Sequence, residues 1–213
     1  MWVEKYRPRT LDEVVGQQHI IGKLKKMINN GCEIPHLLFY GRPGTGKTSV
    51  ALALANEINA DILELNASDD RGIDVVRKTI LVFARYTSLS GGFKILLLDE
   101  ADGITPDGQN SLRRIMEKYY HNCRFIIVCN DVHKIIPAIQ SRCYKVLFKP
   151  VEKEDMIKRL KYIADCEGLD VKDDVLYHIA EASGGDMRVA INRLQMGDYP
   201  KDDLEEIFLL EGI

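Results

Sequence analysis

Much that would send a chain out of the cell or into a membrane is missing from this sequence. No apolar run approaches the roughly 18 residues that a membrane-crossing helix needs. The first residues, Met1 to Glu4, lead into a basic stretch without an apolar core, so no secretory leader is expected. The cysteines (Cys32, Cys123, Cys129, Cys143 and Cys166) are odd in number and contain no CxxC pair. That excludes a disulfide framework and a zinc site, and predicts reduced, mostly buried thiols. There is no internal repeat and no low-complexity tract. Nor does one sign of charge dominate, the formal net charge being −3. Residues 198–213 hold six acids against Lys201 alone, a net −5, which leaves +2 for the rest. Nucleic-acid binding would therefore need a local basic stripe and not a global field.

What is present is a soluble composition, 46% hydrophobic and 29% charged over 213 residues, enough for one full core and a small accessory domain. Five short apolar runs, at 36–40, 61–65, 93–98, 124–129 and 144–148, have the length of buried strands. Helix-period segments lie between them, at 50–58, 73–86 and 109–119. Such alternation predicts an α/β domain with a mostly parallel sheet covered on both faces. After Pro150 the strand signal stops and helices are expected at about 152–167, 172–182 and 186–195, with Gly184 and Gly185 ending one and Asp186 capping the next. The expected partition is 1–150, 151–197 and an acidic tail, 198–213.

The strongest local signal is GRPGTGKTS, in which Gly41, Gly46, Lys47 and Thr48 fit the P-loop pattern GxxxxGK[ST]. It follows an expected strand and precedes an expected helix. Glycines at these positions let backbone N–H groups turn toward a phosphate, and the helix N-terminus adds a positive dipole. Gly41, Pro43, Gly44, Thr45, Gly46, Lys47, Thr48 and Ser49 are thus the expected cradle of ATP or ADP, with Lys47 against the β and γ phosphates and Thr48 on Mg²⁺. About fifty residues on, ILLL ends in Asp99 and Glu100, the form of a Walker B strand. Asp99 is the expected metal partner and Glu100 the expected general base. Asn130, at the end of RFIIVC, reads either as a sensor of the γ-phosphate or as a turn-forming residue. Arg142, in QSRC, reads either as an arginine finger or as an ordinary surface residue.

Read together, these residues resemble the small subunits of replication factor C, the AAA+ sliding-clamp loader of archaea and eukaryotes. The likeness runs from Val3 to about Gln195 and rests on VEKYRP, VVGQ at 14–17, the P-loop, LELNASDDRGID at 63–74, LLLDEAD at 96–102, SLRRIME at 111–117, IQSRC at 139–143 and GGDMRVAIN at 184–192. The resemblance implies a five-stranded sheet in the order 5-1-4-3-2 followed by a helical lid. It implies that Lys5, Tyr6, Arg7, Pro8, Val15 and Gly16 surround the adenine, that Asn130 is a first sensor and Arg188 a second, and that Arg142 acts on ATP held by a neighbouring subunit. Implied partners are the other subunits of a hetero-pentamer, a sliding clamp and primer-template DNA, at the genome in a nucleus or in an archaeal cell. DNA phosphates would meet Arg71, Arg77, Lys78, Arg113 and Arg114. Ile80, Phe83 and Ala84 look like the family's clamp-docking surface, although a core-facing stripe has the same pattern.

Arg42, Asp131 and Val189 stand where the family more often has a proline, an aromatic and a basic residue, with little expected effect. The family pattern continues by about a hundred residues into a helical collar, whereas this sequence ends at Ile213, with LEEIFLLEGI reading as a truncated collar helix or a docking segment. Three functions compete: an ATP-driven clamp loader, a subunit that binds ATP but scarcely hydrolyses it, and a generic AAA+ remodeller of proteins. Lys47, Glu100 and Arg142 speak against the second, and LNASDDRGID and SLRRIME against the third.

Overall fold

The computed structural model describes residues 1–30, 33–67, 73–86 and 93–199, and of residues 73–77 only the backbone. In chain order, the elements are α1 (Trp2–Lys5), α2 (Gln18–Asn29), β1 (His36–Gly41), α3 (Lys47–Glu57), β2 (Asp61–Asn66), α4 (Ile73–Arg85) and β3 (Lys94–Asp99). They continue with α5 (Pro106–Lys118), β4 (Arg124–Cys129), α6 (Pro137–Gln140), β5 (Cys143–Phe148), α7 (Lys153–Glu167), α8 (Asp173–Ala182) and α9 (Met187–Met196). The chain forms two compact units, Pro8–Lys149 and Met1–Arg7 together with the segment from Pro150 onward.

In the first unit all five strands pair in parallel, in the order β2-β3-β4-β1-β5. This is the order the family resemblance implied, and each strand lies within a residue of its apolar run. Side chains alternate across a strand, so the sheet feeds two cores. Leu37, Phe39, Ile95, Leu97, Ile126 and Val128 pack with Ile20 and Leu24 of α2 and with Val50 and Leu54 of α3. Leu38, Leu96, Leu98, Phe125 and Ile127 pack with Ile80 and Ala84 of α4 and with Leu112 and Met116 of α5. Strands buried on both faces must be apolar throughout, which is why they read as continuous runs.

Of the two readings of the α4 stripe, the core-facing one holds: Ile80 and Ala84 lie in the core, with Phe83 packed against it. Val82 of α4 and Tyr86, just past its end, are exposed instead, at 58% and 62%. The thiols are less uniformly buried than expected: Cys123 and Cys129 are buried, Cys143 is half-buried and Cys166 is exposed. Cys32 lies outside the described residues.

The second unit is helical. Met156, Leu160 and Ile163 of α7, Leu176 and Ile179 of α8, and Ala190, Ile191 and Leu194 of α9 form its core. Trp2, Val3 and Tyr6 pack against that core, which is why residues 1–7 belong to this unit. The backbone N–H of Trp2 donates to Gln195 Oε1 at 2.8 Å, and Arg159 donates to the Tyr6 carbonyl at 2.6 Å. At the α8–α9 turn Gly185 has φ 86°, and a Cβ there would come within 2.4 Å of the Pro150 Cβ, so only glycine fits. Asp186 then caps α9 by accepting from the Val189 N–H at 3.0 Å. Among the described residues no helix is long and apolar enough to cross a membrane.

Candidate nucleotide site

β1 ends at Gly41, and α3 begins six residues later at Lys47, so residues 42–46 form a tight loop at the carboxyl edge of the sheet. Gly41 has φ 144°, and a Cβ on it would stand 2.3 Å from the Phe148 carbonyl oxygen of β5. Any side chain there would drive the two strands apart. Gly46 caps α3 in the left-handed region, without a side-chain hydrogen bond to the helix's first N–H groups. These donors and the positive end of the helix dipole are the elements from which phosphate sites are made.

Lys47 is buried at the start of α3 and its Nζ donates to the Gly41 and Arg42 carbonyls, both at 2.8 Å, and to Asn130 Oδ1 at 3.0 Å. Thr48 Oγ1 donates to Asp99 Oδ2 at 2.6 Å. The other carboxylate oxygen of Asp99 accepts the Glu100 N–H at 2.8 Å. Three parallel strands deliver this set: Gly41 ends β1, Asp99 ends β3, and Asn130 follows β4. In open α/β sheets, ligands bind beyond this edge. Glu100 is exposed and has φ 53°, a left-handed conformation that costs a non-glycine residue roughly 1–3 kcal/mol. Strain of that kind persists where the surroundings fix a side chain for a task.

The donors fit a magnesium nucleotide. Thr48 and Asp99 place two hard oxygen ligands against each other, as Mg²⁺ requires, and Lys47 supplies a buried cation for phosphate. Cys129, close by at the end of β4, is no nucleophile: burial first, and the nearby Asp102 carboxylate next, push its thiol up to about 12.

Arg142 is exposed and turned to its own unit, with Nη1 donating to the Ala138 carbonyl at 2.6 Å and Nη2 paired with Glu117 at 2.5 Å. Pro8, Val15 and Gly16 belong to the sheet unit, whereas Lys5, Tyr6, Arg7 and Arg188 belong to the helical unit. There Lys5 Nζ and Tyr6 Oη both donate to Glu167 Oε1 at 2.6 Å, which holds the Glu167 carboxyl below its ordinary value, and Arg188 is exposed on α9. Of the basic residues expected at DNA, Lys78 and Arg114 are exposed, and Arg113 is half-buried with its Nε buried and unbonded. Arg71 and the Arg77 side chain lie outside the described residues, as does the segment 200–213.

Sequence reasoning missed Gln17. It is 7% exposed, adopts φ 57°, and its side chain reaches both Thr45 of the phosphate loop and Lys149 at the end of the unit. Its position in VVGQ was visible, but a polar residue before a helix carries no sign of burial.

The profile of the ATPase family associated with various cellular activities (AAA) matches residues 37–151, more than half of the chain and, His36 aside, all five strands. The chain belongs to the AAA family. Membership implies nucleotide binding. The AAA lid follows: residues 158–196 match the RCF1/5-like AAA+ ATPase lid domain. The chain is 54% identical over 201 residues to the replication factor C small subunit of Archaeoglobus fulgidus, covering 92% of this chain and 63% of that protein. It is 49% identical to human replication factor C subunit 5, covering 91% and 59%. It is thus a homologue of replication factor C small subunits that spans about three fifths of these relatives' length. Among solved structures, RuvB of Thermotoga maritima shares the AAA fold with a TM-score of 0.77 over 90% of this chain and 65% of that one, at 20% identity.

Proposed function

We propose that this chain is the ATP-binding and ATP-hydrolysing part of a clamp-loader small subunit, which uses nucleotide to help open a sliding clamp and place it on primer-template DNA. The observation that carries the reading is the meeting of Lys47, Thr48, Asp99 and Asn130 at one edge of the sheet. The identity to replication factor C small subunits, 54% and 49% over 201 residues, supports the choice of process.

In this reading the loop N–H groups and Lys47 take the β and γ phosphates, the ammonium exchanging loop carbonyls for phosphate oxygens. A magnesium ion held by Thr48 and Asp99 would neutralise charge on the phosphates. Asn130 stays within reach of Lys47 and positions the lytic water or the γ-phosphate. Glu100 accepts a proton from that water as its oxygen bonds to the γ phosphorus and ADP leaves. Lys5, Tyr6, Arg7, Pro8, Val15 and Gly16 serve the adenine, and Arg188 senses the phosphates. Arg142 stabilises transition-state charge on the nucleotide of the next subunit, so no single chain is a complete ATPase. Lys78 and Arg114, with Arg71, Arg77 and Arg113, meet DNA phosphates, giving binding that weakens with salt and reads no bases.

The test is steady-state hydrolysis with and without clamp and primer-template DNA, using Arg142→Ala and Glu100→Gln separately and mixed. Stimulation by DNA and clamp, and partial recovery on mixing, is the expected result. Nucleotide binding without turnover under every condition would restrict this chain to the ATP-binding role.

A further inference from the structure

We propose that Gln17 is a positioning residue that orients a phosphate-binding peptide of the loop and ties it to the strand end where the chain leaves the sheet unit. The proposal rests on the nucleotide reading above and adds to it the residue that sets the loop's geometry.

The Gln17 side chain makes three hydrogen bonds, two as donor and one as acceptor. Nε2 donates to the Thr45 carbonyl at 3.3 Å and to the Lys149 carbonyl at 2.6 Å, while Oε1 accepts the Lys149 N–H at 3.3 Å. Toward Lys149 the carboxamide therefore behaves as one more peptide of a sheet, pairing with β5's continuation through a donor and an acceptor. Toward Thr45 it fixes a carbonyl. A trans peptide is planar, with its C=O and N–H pointing in opposite directions. Holding the Thr45 oxygen on Gln17 thus aims the Gly46 N–H away from Gln17, and in a P-loop that N–H is one of the donors a phosphate uses.

Two further observations single the residue out. Gln17 sits in the left-handed region, φ 57° and ψ 26°, directly after Gly16 at φ 72°. A glutamine holds that conformation only when its side chain is anchored by the surroundings. Thr45 is 2% exposed and its own hydroxyl is engaged with the Arg42 carbonyl at 2.8 Å, so the loop is braced from inside by Thr45 and from outside by Gln17. Lys149 is the last residue of the sheet unit, and Pro150 the first beyond it. A change in the Thr45–Gly46 peptide on phosphate binding is therefore felt, through one side chain, where the chain passes out of the unit.

The experiment uses the full chain with Gln17→Gly and Gln17→Asn. Glycine relieves the left-handed strain and removes the amide, and asparagine tolerates the conformation but falls one methylene short of spanning both partners. ADP affinity is measured by calorimetry, and hydrogen exchange is followed at the Lys149 amide with and without ADP. The expected result is ADP binding weakened by about tenfold in both variants, the worth of one hydrogen bond to a charged group, with exchange at Lys149 responding to ADP only in the parent chain. Folded variants that keep the parent's ADP affinity would overturn the proposal, as would a lowered melting temperature with unchanged affinity, which marks a merely structural residue. A parent chain that binds no ADP would instead overturn the nucleotide reading itself.

Discussion

The two ends of the sheet bury similar cations and use them in opposite ways. At the amino ends of the strands, Lys94 opens β3 and Arg124 opens β4. Lys94 Nζ donates to the Phe83 and Tyr86 carbonyls at 2.5 and 2.6 Å and lies 4.2 Å from the centre of the Phe83 ring. Those carbonyls belong to the C-terminal end of α4, where a helix welcomes positive charge. Arg124 donates to the Ile34 carbonyl at 2.6 Å and stacks 3.9 Å from the centre of the Tyr120 ring. At the carboxyl ends, Lys47 sits instead at the N-terminus of α3, positive charge against the positive end of a dipole. One arrangement is complete in itself and holds the fold. The other gathers positive potential in one place, beside the Thr48 hydroxyl and the Asp99 carboxylate that accepts from it, and is suited to an anion.

Breaking each end should therefore damage a different property. The largest effect expected is from Glu100→Gln, which removes the proposed base and should lower hydrolysis by about 10²–10⁴-fold with nucleotide affinity nearly kept, as read by single-turnover kinetics beside a binding titration. Next is acid. His36 opens β1, where its Nδ1 accepts the Phe125 N–H at 3.0 Å, a bond that only the neutral ring can make. Burial foremost, and the Arg124 charge next, lower its pKa from 6.5 to about 4. The unfolded chain thus takes up the proton first as pH falls, so this contribution to stability is intact above pH 6.5 and is lost between 6.5 and 4. Denaturant titrations should show a loss on the order of 3 kcal/mol across that window, absent in His36→Gln.

A smaller effect is expected from Lys94→Met, which leaves the last carbonyls of α4 without their donor and should cost about 1–3 kcal/mol of stability in chemical denaturation. The smallest is from Glu117→Gln. Its pair with Arg142 is more than a third exposed on both sides, so stability should change by less than about 0.5 kcal/mol. If Glu117 steadies the finger for a neighbour, hydrolysis in the mixed assay should drop by a few-fold, roughly 2–5, through kcat and not KM. An unchanged kcat would make that pair a surface contact alone.

How far each region was legible follows from the range of its interactions. The strands were read to within a residue, because burial on both faces writes an apolar run into consecutive positions. Lys47 and Thr48 were legible because the phosphate-loop pattern dictates residue types at fixed spacing, and Asp99, which the structure brings to Thr48, because an apolar strand ends in it. Residues whose partners are distant in sequence were not. Nothing local says that Trp2 packs with α9, that Gln17 reaches Lys149, or that Lys94 caps α4. For α4 the pattern did show an apolar stripe, but Ile80, Phe83 and Ala84 could be assigned to core or surface only once the sheet they cover was in view.

The most direct test of this contrast pairs Lys47→Ala with Lys94→Met and measures, on each, the melting temperature and the affinity for Mg-ADP. The account predicts a double dissociation: Lys47→Ala loses nucleotide binding by about a hundredfold or more with its melting temperature kept or raised, and Lys94→Met melts earlier with its affinity unchanged. Nucleotide binding that survives in Lys47→Ala, or that disappears in a folded Lys94→Met, would contradict it.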